Sequence, residues 1–143
     1  MSTDDVNTNV ENDEDYFFSY SASLRISGDD LDFELITKTL DLLPTHMHRK
    51  GDQGKIGEKY KQDMWLYEVN VPDESALDEH LQALWALLKP YKEFLLSLKE
   101  KYHLDIFCGY RSNCSTAGFA VLPQSLDIFL ELDIPFGVSI IVF

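Results

Sequence analysis

A chain of 143 residues is about one domain by length, and it can bury a sizeable core without a metal or disulfide staple. Its 12 basic and 25 acidic side chains leave a net charge of -13. That disfavours nucleic-acid binding and docking on anionic membranes, and it favours encounter with a basic protein partner.

Residues 1–15 hold six of the carboxylates and no basic residue, which leaves -7 for the remainder (-13 minus -6). Rich in Asn, Asp and Thr, this stretch is read as a disordered acidic arm ahead of a single domain over 16–143. Met1-Ser2-Thr3-Asp4-Asp5 has neither the basic nor the apolar region of a leader peptide. No apolar run matches a membrane span. Two cysteines, Cys108 and Cys114, are too few for a secreted disulfide framework. A cytoplasmic protein is expected.

Phe18, Tyr20, Ala22, Leu24 and Ile26 alternate with Ser19, Ser21, Ser23 and Arg25, the period of a half-buried strand. Gly28-Asp29-Asp30 breaks it. Asp30 or Asp32 caps a helix with Phe33, Ile36, Leu40 and Leu43 on one side, and Pro44 stops it. A short strand over 45–50 precedes a glycine-containing, charged loop to Asp63. Met64 to Val71 is the next strand, with Trp65, Tyr67, Val69 and Val71 on one face. Pro72-Asp73-Glu74-Ser75 then opens a long helix whose Leu77, Leu81, Leu84, Leu88, Tyr91, Leu95, Leu98 and Tyr102 recur at steps of four and three. Pro90 should kink or divide it. Leu104 to Tyr110 and Gly118 to Leu122 read as strands, 124–132 as a helix behind Pro123, and Phe136 to Val142 as a closing strand.

The expected class is α+β. A mainly antiparallel sheet carries its helices on one face, in what resembles a duplicated ferredoxin-like arrangement.

Ile26-Ser27-Gly28-Asp29-Asp30-Leu31, then Ile36, Leu40, Pro44-Thr45 and Arg49-Lys50-Gly51-Asp52, resemble the opening of an uncharacterised bacterial family, domain of unknown function 4279. Trp65, the Leu-rich helix and the helix and strand after Leu122-Pro123 fit as well, so the likeness spans roughly 17–143. The sequence departs from that pattern at Phe33 and in the loop after Asp52. The resemblance implies the fold and a bacterial origin, and it supplies no catalytic residue.

His46 and His48 share a face of any strand they form, but a metal site needs a third ligand, so no metal or other cofactor is expected. Arg49-Lys50-Gly51-Asp52 begins the one locally basic stretch. It forms either an anion pocket beside Trp65 or a turn tied to the domain's own carboxylates. Gly51, Gly54 and Gly57 lack the strand, Gly-Lys ending and following helix of a phosphate loop. Cys108 is read as core, and Cys114 has no activating base beside it. Glu79 and His80 are read on the outer side of the long helix. Trp85, Leu87 and Phe94 widen its apolar stripe into a margin fit for a dimer contact, so the chain is a monomer or homodimer. Ser19, Ser21, Ser23 and Arg25 line the sheet face away from the helices, a polar surface open for binding.

These readings favour a non-enzymatic binding module, immunity-type or regulatory, for a basic macromolecular partner. The alternative is a small-ligand sensor or enzyme with an anion pocket near Arg49, Lys50 and Trp65.

Overall fold

The computed structural model describes residues 16–143, and the acidic arm read over 1–15 lies outside them. The alternation in the first ordered segment produces strand β1 (Phe18–Gly28), the middle of a five-stranded sheet. β2 (His46–His48), β3 (Asp63–Glu68), β4 (His103–Ser112) and β5 (Val138–Val142) complete it in the order β2-β3-β1-β4-β5. β1 is antiparallel to β3 and β4, and β2 is antiparallel to β3. β5 runs parallel to β4, so the sheet is mixed. A parallel neighbour needs a long crossover, which residues 113–137 supply.

The duplicated ferredoxin-like arrangement is not confirmed. A β-α-β-β-α-β run is complete at β4, and residues 113–143 add one helix and one strand to it. The strand expected over Gly118 to Leu122 does not form. One edge of β4 is held by β1 and the other by β5, so that segment has no free edge there to join.

α1 (Phe33–Leu40) starts where the Leu35 N–H donates to the Asp32 side chain at 3.1 Å. It ends at Asp41, which takes the left-handed conformation (φ 55°), three residues before Pro44. Leu43, expected on the apolar side, therefore lies beyond the helix and is 82% exposed. Pro90 does divide the long helix. α2 (Leu77–Leu88) passes through a 3-10 turn at Lys89–Tyr91 into α3 (Lys92–Lys99). Proline offers no N–H and its ring collides with the preceding turn, so the axis breaks there. α4 (Asp127–Leu132) follows a 3-10 turn at Pro123–Leu126.

All four helices bury their apolar sides in one core together with Ala22, Leu24, Ile26, Trp65, Leu104 and Ile106. Leu77, Leu81, Leu84, Leu88, Leu95 and Leu98 supply the stripe seen in the sequence, each worth roughly 1.5–3 kcal/mol of burial. Trp65 is fully buried and its indole N–H donates to Thr37 Oγ1 on α1 at 3.0 Å. His80 corrects the sequence reading. It is 1% exposed, and neither ring nitrogen meets a hydrogen-bond partner among the described residues. Three residues after Leu77 and four before Leu84, it belongs to the stripe by helical spacing.

Candidate functional site

With every helix of the described residues packed against one side of the sheet, the other side is built from the alternate residues of each strand. Directly paired residues share a face, so the registers assemble it in rows. His46, Leu66, Arg25 and Asp105 form one row, and His48, Met64, Ser27 and His103 the next. In the opposite direction lie Glu68, Ser23 and Phe107, then Ser21, Gly109 and Ser139, then Ser19, Arg111 and Ile141.

Arg25 is central to this face. Its Nε–H and Nη2–H donate to Asp105 Oδ1 and Oδ2 at 2.9 and 2.7 Å, a two-pronged pair across β1 and β4. Its guanidinium carbon also lies 4.8 Å from the centre of the Phe107 ring. The bonds to Asp105 raise the Arg25 pKa. His103 Nε2 stands 3.6 Å from Asp105 Oδ2 and the imidazole is largely in solvent. A recess of about 350 Å³ runs between Arg25, Asp105, Phe107, Gly137 and Ser139. Beside it lies a shallow trough lined by Ser19, Ser21, Phe107, Gly109 and Ile141, in which Ser21 and Phe107 close over Gly109. A Cβ there would come within 2.7 Å of Ser21 Oγ and 3.3 Å of the Phe107 ring.

The serines contribute less than the sequence reading held. Ser23 is 3% exposed and Ser27 9%, and Ser19 and Ser21 are half-buried. The accessible polar groups of the face are His46, Glu68, His103 and Arg111, with the Arg25–Asp105 pair and Phe107 partly exposed between them.

The second candidate cluster closes on itself. Asp63 is buried and accepts from the Lys50 N–H (2.8 Å), the Leu31 N–H (3.1 Å) and Arg49 Nη1–H (2.8 Å). The Lys50 N–H foremost, with the Arg49 guanidinium and the Leu31 N–H, holds this carboxyl below its usual range against the opposing effect of burial. Arg49 also donates to the Leu31 carbonyl and stacks 3.9 Å over the Phe33 ring. The turn's own amides are occupied. The Arg49 N–H donates to Asp52 Oδ2, the Gly51 N–H to the Tyr60 carbonyl and the Asp52 N–H to the Arg49 carbonyl. Gly51 holds φ 91°, which suits glycine and closes the turn. Trp65 lies on the helix-covered side, away from the outer face.

His46 Nε2 and His48 Nδ1 are 2.8 Å apart, and His48 stacks on Tyr60 at 3.4 Å. Burial, then His46, lowers the His48 pKa. No group of three or more His, Cys, Asp or Glu side chains among the described residues could hold a metal ion. Burial pushes the Cys108 thiol up to about 12, so it stays protonated within the core.

Asp105, Phe107, His103 and Gly109 were absent from the sequence-based candidates. The alternation of β4 was visible, but which strand would lie beside β1 was not. The family model described as a domain of unknown function (DUF4279) matches residues 18–143. No curated protein and no solved structure matches the chain.

Proposed function

The chain belongs to the family of domain of unknown function 4279, whose description assigns no activity, and from the geometry we propose a non-enzymatic binding module that docks a basic macromolecular partner on the helix-free face of its sheet. The observation that carries this reading is that face itself, where an aromatic ring, a paired guanidinium and an exposed imidazole stand around an open recess. Aromatic residues and Arg are the groups that most often anchor protein contacts.

Charge and contact are separated on this reading. Along the outer rows Arg25 and Arg111 balance Glu68 and Asp105, so the face is formally neutral while the chain carries -13. The acidic remainder attracts a basic partner at long range, and Phe107 and Arg25 make the close contacts. A regulatory or immunity-type role in the cytoplasm of a bacterium is part of the proposal, supported by the two free cysteines and the family likeness. The antiparallel order β2-β3-β1-β4 supports a ferredoxin-like core extended by α4 and β5.

The alternative, an anion pocket at Arg49, Lys50 and Trp65, has less support. The Arg49 guanidinium and the turn amides are engaged internally, and Trp65 has no exposed surface.

Capture from a native lysate on the immobilised chain tests the proposal. Wild type and the helix-side variant Glu79→Lys should both retain a basic protein at low salt and release it at high salt. Phe107→Glu should lose it despite the added negative charge, with an unchanged melting temperature. Retention by Phe107→Glu together with loss in Glu79→Lys would place the contact on the helix side and refute the proposal.

A further inference from the structure

At one end of the sheet β5 has β4 on one flank and, among the described residues, no strand on the other. Ile140 is 57% exposed, Ile141 50% and Val142 62%, so apolar side chains meet solvent on both faces of this strand. Soluble proteins ordinarily blunt such an edge with charge, proline or a bulge. Residues 136–143 contain no charged residue and no proline.

The free flank has a definite parity. The Phe143 N–H donates to the Ser112 carbonyl at 3.1 Å, which turns the backbone of residue 143 towards β4. Successive residues of a strand turn their N–H and C=O groups to opposite sides. The amides of Ile141 and Ser139 therefore also face β4, and those of Val138, Ile140 and Val142 point outward.

We infer that this edge pairs with β5 of a second copy of the chain, antiparallel and centred on Ile140. Antiparallel pairing of a strand with itself is two-fold symmetric, so one surface supplies both halves of the contact. Of the registers that set outward amides against outward amides, the one centred on Ile140 uses the whole strand. Ile140 meets Ile140 of the second copy, and Val138 meets Val142, each pair exchanging two backbone bonds. That makes about six for the dimer. Ile140, Val138 and Val142 then meet apolar neighbours on the helix side, and Ser139 meets Ile141 on the other.

Charge selects the same occupant. Two chains of net charge -13 repel, and residues 134–143 form a ten-residue segment with no acidic side chain to oppose another. A basic partner gains no ion pair along this edge. The contact is smaller than the ~1,600 Å² of a standard interface, so the dimer forms as concentration rises. It joins two sheets into one, with both outer faces on the same side.

Hydrogen exchange of the full chain, measured from low-micromolar to near-millimolar concentration alongside sedimentation, tests this pairing. The mass should climb from one chain towards two. The Ile140 and Val142 amides should become at least ten-fold slower to exchange, while Ile141 and Phe143, already bonded to β4, should not change. Ile140→Lys, which sets like charges together at the two-fold, should remain a single chain with its melting temperature retained. Should that variant not fold, the wild-type exchange pattern alone decides. A constant single-chain mass, or association that leaves the Ile140 and Val142 amides as fast as before, would overturn the inference.

Discussion

Asp63 shows how a single side chain can organise a turn that looks like a ligand site in sequence. One buried carboxylate gathers Leu31, Arg49 and Lys50, which are brought together from α1's approach and from the end of β2. Its folded pKa lies below the ordinary value. Its contribution to stability is therefore complete above about pH 4, where the unfolded carboxyl ionises, and it fades as pH falls through the depressed folded value. Asp63→Asn should cost about 2 kcal/mol at neutral pH. In chemical denaturation, wild type should lose more stability than this variant between neutral and strongly acidic pH; parallel losses would refute the assignment. His80 illustrates the opposite case, a polar ring in the core with no partner among the described residues. His80→Leu keeps comparable bulk and removes two unsatisfied nitrogens, so it should stabilise the fold by about 1–3 kcal/mol, read as a raised melting temperature. The roles of both residues were hard to read in sequence. Asp63 was one carboxylate among many, and His80 was assigned by its polarity when its helical spacing pointed inward.

Among the elements, periodicity carried as far as faces and no further. The alternation of β1 and the leucine stripe of α2 and α3 identified the residues that are buried, including Leu24, Ile26, Leu81 and Leu88. Pro90 marked the break between those helices. Neighbour relations were not legible, because a period of two does not say which strand lies alongside. The parallel placement of β5 and the failure of residues 118–122 to join the sheet follow from competition for β4's edges. Only the assembled topology shows that competition. The cross-strand pair of Arg25 and Asp105 comes from the same hidden register. Both side chains are partly exposed, so a double-mutant cycle with Arg25→Ala and Asp105→Ala should give a coupling of about 0.5–1 kcal/mol, reduced by salt. Additive losses would mean that the two hydrogen bonds do not persist in solution.

For the whole molecule, the disposition of the layers matters more than any one group. Among the described residues four helices share one core on one side of the sheet, and none of them is long and apolar enough to cross a membrane. On the proposed reading, the balance of charge on the outer rows, against -13 for the chain, leaves attraction to the molecule and adhesion to the face. Histidine footprinting with the captured basic partner tests that division most directly. His46 and His103 lie on the outer face, and Lys38 and Lys92 belong to helices on the other side. Binding should slow chemical modification of His103 and His46 several-fold and leave Lys38 and Lys92 as reactive as before. Unchanged modification of both histidines, with Lys38 or Lys92 shielded in their place, would contradict the account.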